Sequence, residues 1–130
     1  MILLDTHVWL WWLSDPSKLS PTAAALIDGA VAEDAVAISA ISAWEVAVLV
    51  DRGRLDLDRS VDAFVRQTEA LPFVHLVDVD ARIAVASVRL DLPHRDPADR
   101  LIVATARLLD ATLITKDAVL RDDPQCRVAW

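Results

Sequence analysis

A chain of 130 residues, 55% hydrophobic and without low-complexity tracts, is long enough to bury a core of its own and reads as a single domain over residues 1–130. One cysteine excludes an internal disulfide and suits a reducing compartment. Three scattered histidines exclude a closed zinc cluster, and two glycines leave no glycine-rich phosphate loop. The net charge of −7 argues against the basic surface on which nucleic-acid enzymes usually hold phosphate. That objection weakens where several acids converge on divalent cations, because the bound ions present a positive face.

Residues 2–5, ILLD, read as a short buried strand ending in Asp5. Thr6 and His7 open a helix carrying VWLWWL, stopped at Ser14-Asp15-Pro16. That run is far below the ~20 residues that span a bilayer, and the N-terminus carries Asp5 and no basic region. No signal peptide or membrane contact is expected, and the protein reads as cytoplasmic. The helix is apolar on nearly every side, which fits either ordinary core packing of Trp9, Trp12 and Leu13 or a dimer or partner interface that takes Trp11 or a neighbour.

Ser20-Pro21 starts a second helix, to about Val31, and AVAIS at 35–39 forms a second buried strand. A helix around Ser42 to Val50 closes at Arg52-Gly53, followed by an extended connection, RLDLD, outside the core. Ser60 caps a helix to about Leu71 with Val61, Phe64, Val65 and Thr68 inward, and FVHLVDV at 73–79 is a third strand. Asp80 caps the helix ARIAVASVRL. Asp96 at the N-cap, Pro97 at the first helical position and Asp99 in the first turn then open another. ATLIT, ending at Lys116 and Asp117, is a fourth strand, and RVAW adds a last short one. Strands that alternate with helices build an α/β fold, here a three-layer α/β/α sandwich around a mainly parallel sheet.

Asp5, Glu45, Asp99 and Asp117 each stand at a strand's carboxyl end or in a helix's first turn, positions that share one edge of a parallel sheet. Each also has a local explanation. Ser42 and Glu45 match the S-x-x-E capping box, Asp99 complements a helix dipole, and Asp117 and Asp5 serve as turn residue and strand terminator. Together they repel one another unless a cation sits between them. Hard oxygen ligands without thiol or imidazole suit Mg²⁺ or Mn²⁺, which activate water for attack on phosphorus. Neither a G-x-S-x-G elbow nor an activated cysteine supplies a competing nucleophile.

The segments ILLDTHVWLWWL, ISAISAWEVAVLV, LPHRDPADRLIVATA and LITKD, in this order and over essentially the whole chain, resemble PIN-domain ribonucleases, most closely the VapC-type toxins of toxin–antitoxin modules. The resemblance implies that Asp5, Glu45, Asp99 and Asp117 are the acidic metal-binding positions. Asp96 matches an acid of the H-x-D-P-x-D-R subgroup, and either assists an ion or only caps its helix. Ala98 stands where that motif commonly has phenylalanine. In the roles that follow, Asp5 and Asp99 bridge or directly hold the first ion, Glu45 orients the attacking water or completes the ion's shell, and Asp117 acts through water or a second ion. Thr6 and Thr115 hydrogen-bond these acids or the phosphate, and Arg95, Arg100 and Lys116 are the candidate phosphate contacts. The resemblance further implies RNA cleavage that arrests growth, a homodimer, and neutralisation by a small antitoxin.

Other acidic-pocket folds fit less well. A phosphoacceptor receiver domain shares a Thr–Lys pair like Thr115-Lys116, but needs paired acids after the first strand and an acceptor Asp where Ser39 ends the second. A haloacid-dehalogenase-like phosphatase needs a further Asp where His7 stands. An inactive PIN-like interaction domain would have no reason to keep all four acids.

Overall fold

The computed structural model describes residues 1–93, 96–122 and 125–130. Five strands form one sheet in the order β3-β2-β1-β4-β5: β1 (Ile2–Leu4), β2 (Val36–Ser39), β3 (Val74–Val77), β4 (Thr112–Ile114) and β5 (Val128–Ala129). Every pairing among them is parallel. Parallel neighbours need crossovers, and helices supply them: α1 (Thr6–Ser14), α2 (Pro21–Ala32), α3 (Ala40–Asp51), α4 (Val61–Glu69), α5 (Ala81–Val88), α6 (Pro97–Leu108) and the short α7 (Ala118–Arg121).

The period-two alternation of strand side chains divides the core between the faces of the sheet. Ile2, Leu4, Val36, Ile38 and Ile114 point to one face, where Val8 and Trp9 of α1, Ile27 of α2, Val46 of α3 and Phe64 of α4 cover them. Leu3, Ala37 and Leu113, in register across the sheet, point to the other face, against Ile83 of α5, Ile102 and Val103 of α6 and Leu120 of α7. The chain is therefore a three-layer α/β/α sandwich. Among the described residues no helix is long and apolar enough to cross a membrane.

Two local readings change. The third helix begins one turn earlier than the Ser42 capping box implies: Ser39 is its N-cap and accepts the Ile41 amide, so Glu45 lies in the helix body and caps nothing. Leu55 and Leu57 of the RLDLD connection are half-buried against the α1–α4 core, because the turn at Gly53 (φ +67°) sends the chain back over it.

The topology fixes where a ligand can sit. From β1 the chain steps outward to β2 and β3 on one side, then returns to β4 and β5 on the other. The crevice between the carboxyl ends of β1 and β4 is thus the switch point at which open α/β sheets bind their ligands.

Candidate active site

Asp5 leaves β1 at that switch point. Its backbone amide still pairs with the Ile114 carbonyl of β4 at 3.0 Å, which holds the two strand ends together. As N-cap of α1 it accepts the Thr6 amide on Oδ1 at 2.8 Å, and on Oδ2 it accepts the Thr115 hydroxyl at 2.6 Å. Burial pushes the Asp5 carboxyl up. The Thr115 and Thr6 hydrogen bonds and His7 counter that rise, and Asp117 adds to it.

Thr6 connects this carboxylate to the next. Its Oγ1 lies 2.6 Å from Glu45 Oε1 and 2.9 Å from Ser42 Oγ. A hydroxyl has one proton, and the carboxylate is the stronger acceptor, so Thr6 donates to Glu45 and receives from Ser42. Ser42 is fully buried and belongs to the site as the support of Thr6, a role its resemblance to a cap conceals. Burial raises the Glu45 carboxyl too, with Thr6 opposing and the charges of Asp5 and Asp96 reinforcing the rise.

Helix α6 brings the remaining acids. Asp96 is its N-cap, accepting the Ala98 amide at 3.0 Å, and Asp99 sits in its first turn. One carboxylate oxygen from each of Glu45, Asp96 and Asp99 lies within 4.8 Å of the others. Asp117 caps α7 by accepting the Val119 amide at 2.8 Å, and its own amide donates to Thr115 Oγ1 at 3.1 Å. Asp5, Thr6, His7, Trp11, Glu45, Asp96, Asp99, Lys116 and Asp117 line one pocket of about 380 Å³. An all-carboxylate set crowded this closely fits a hard divalent cation, which would relieve its repulsion.

The PIN domain family model matches residues 2–123. The chain belongs to the PIN-domain family. It is 38% identical over 123 residues to Ribonuclease VapC22 of Mycobacterium tuberculosis, covering 92% of this chain and 89% of that one. This PIN domain also superposes on VapBC2 from Rickettsia felis, bound there to a DNA fragment from its promoter, with a TM-score of 0.71 at 16% identity over 99% of this chain and 98% of the other. A toxin–antitoxin complex from Klebsiella pneumoniae gives 0.66 at 23% identity over 100% and 97%. The likeness to these two structures is one of fold.

All five expected acids of the PIN domain line the one pocket, at different spacings. Glu45, Asp96 and Asp99 form the tight trio, while both oxygens of Asp5 are engaged by Thr6 and Thr115. Asp96 caps its helix and also stands within the acidic cluster. Arg100, expected to contact phosphate, donates to the backbone carbonyls of Ser87, Val88, Leu90 and Leu92 at 2.7–3.3 Å, tying α6 to the end of α5 and the loop after it. Arg95 lies outside the described residues. Lys116 lines the pocket, as does His7, which the sequence reading passed over.

Proposed function

We propose that this PIN domain is a divalent-cation-dependent endoribonuclease acting as the toxin of a toxin–antitoxin pair in the cytoplasm. The observation that carries the reading is the convergence of Glu45, Asp96 and Asp99 in one pocket with Asp5 and Asp117 on its border. The 38% identity to a ribonuclease over nearly the whole chain supports the choice of RNA as substrate. Glu45, Asp96 and Asp99 would hold Mg²⁺ or Mn²⁺, with Asp5 and Asp117 completing its surroundings directly or through water. When bound, the ion supplies Lewis acidity at phosphorus and lowers the pKa of water.

The chain's own groups do the rest. Thr6 fixes the Glu45 carboxylate through Oε1, which leaves Oε2 to face the ion or the attacking water. A bond forms from the water oxygen to phosphorus and the bond from phosphorus to the leaving ribose oxygen breaks, while the attacking water releases a proton and the leaving oxygen takes one up from solvent. Thr115 holds Asp5 in a single rotamer, and Lys116 offers a positive charge to the phosphate. The acidic pocket suits a basic segment of a cognate antitoxin as its blocker, and a homodimer is the expected assembly.

The test incubates the purified full chain, free of antitoxin, with RNA and Mg²⁺ or Mn²⁺, beside Asp5→Asn and Asp99→Asn. Cleavage that needs the ion and fails in both variants supports the reading. Cleavage that ignores EDTA or persists in both rejects the site.

A further inference from the structure

The acidic pocket has an aromatic wall that the chemistry above does not use. His7 and Trp11 lie one turn apart on α1, with ring centroids 5.9 Å apart at 49°. Trp130, carried there by the pairing of β5 with β4, packs on Trp11 at 5.8 Å and 59°. Lys116, which follows the threonine that holds Asp5, sets its Nζ 5.8 Å from the centroid of the Trp11 ring. Among the described residues Lys116 makes no ion pair.

Trp130 also packs against the α1–α4 core, but core packing does not account for the placement of Trp11. Trp9 is the core tryptophan: fully buried, 4.7 Å from the Phe64 ring centroid, with its indole N–H donated to Thr68 Oγ1 at 3.2 Å. Trp11 is only half-buried, and it lines the same pocket as the carboxylates. An indole held rigid by its neighbours presents a flat π-face at little entropic cost, and a base stacked on such a face gains about 1–3 kcal/mol. A lysine on the same ring adds a point charge for phosphate. In a chain of net charge −7, this cation beside an aromatic plane is a local feature suited to a nucleotide.

We propose that Trp11, braced by His7 and Trp130 and carrying Lys116, is a nucleotide subsite in which a base next to the cleaved phosphate stacks on the indole while Lys116 binds a phosphate oxygen. The inference rests on the ribonuclease reading and deepens it. A base can reach the indole only when splayed out of a helix, so the substrate class is single-stranded or looped RNA.

The experiment uses the full chain and single-stranded oligoribonucleotides in which one abasic nucleotide is moved along the strand. Cleavage kinetics are read on the wild type, and anisotropy binding on the Asp99→Asn background. With the wild type, an abasic nucleotide beside the cleaved bond raises KM roughly 5- to 100-fold with a smaller change in kcat. Trp11→Ala gives a similar rise on intact RNA and removes the sensitivity to the abasic nucleotide, whereas Trp11→Phe keeps most of both. Lys116→Ala lowers the salt slope of binding by about 0.7. Deleting the base from the substrate leaves the protein unchanged, so a folding defect cannot imitate this pattern. Wild-type cleavage indifferent to abasic nucleotides at every position overturns the subsite and leaves the ribonuclease reading standing. If the wild type cleaves no RNA, that reading fails, and the binding arm still decides the subsite. A shift in mass by light scattering on Trp11→Ala, with RNA affinity unaltered, puts another protein on the indole and overturns the proposal.

Discussion

The two halves of the acidic pocket solve opposite problems. At the β1–β4 edge Asp5 has a hydrogen-bond donor on each oxygen, Thr6 on one and Thr115 on the other. Across the pocket Glu45, Asp96 and Asp99 crowd together within 4.8 Å, with the Thr6 hydroxyl and the Ala98 amide as donors to Glu45 and Asp96. The first half has a hydrogen bond on each carboxylate oxygen, whereas the second brings like charges close together. The fold thus fixes Asp5 at its switch point and gathers the helix-borne acids in the same pocket.

The comparison is broken most severely at the trio. Asp99→Asn removes one of its charges and lowers the rate of RNA cleavage about a thousandfold or more, since several kcal/mol of charge stabilisation are at stake. Circular dichroism of the variant stays native, because Asp99 is not the cap of its helix.

Arg100→Ala sharpens the contrast from outside the pocket. It leaves a cluster of carbonyls at the end of α5 without their donor and lowers unfolding free energy by about 3 kcal/mol in a urea titration. Cleavage per folded molecule changes little. A loss of RNA affinity in a variant of unchanged stability would instead favour a phosphate role for the arginine.

Thr115→Val attacks the hold on Asp5. Asp5 loses the donor on Oδ2, and cleavage at saturating Mg²⁺ falls about 10- to 100-fold, the range found when a group that orients a metal ligand is removed. An unchanged rate would mean that Asp5 needs no holding.

The smallest effect is one of pH. Burial raises the Asp5 and Glu45 carboxyls above their ordinary values of 3.8 and 4.5. Between those values and the raised ones the folded chain binds more protons than the unfolded chain, so in EDTA stability falls as pH rises through that window. Asp5→Asn and Glu45→Gln flatten the fall, and Mg²⁺ restores stability to the wild type at the high-pH end. Melting temperatures measured from pH 4 upward check both statements.

The sequence made the edge of the sheet legible and left the contacts across it hidden. ILLD, AVAIS and ATLIT are apolar enough to be strands whatever surrounds them, and Asp96-Pro97 with Asp99 announces α6 by local chemistry alone. Ser39 and Ser42 stand at the start of the same apolar helix, and the capping-box pattern selected the wrong one, since only their partners, the Ile41 amide for Ser39 and the Thr6 hydroxyl for Ser42, distinguish them. Arg100 carries no local sign that its partners are carbonyls at the end of another helix. The brace that Trp130 gives Trp11 depends on the placement of the last strand, which no periodicity in two residues reveals.

The most direct test of the central claim is a titration of the purified chain with Mn²⁺ at pH 7.5, following the free ion by its paramagnetic resonance. The wild type should take up Mn²⁺, Glu45→Gln and Asp99→Asn should take up far less, and Thr115→Val should fall between. Uptake that is absent in the wild type, or unchanged in both carboxylate variants, would contradict the account.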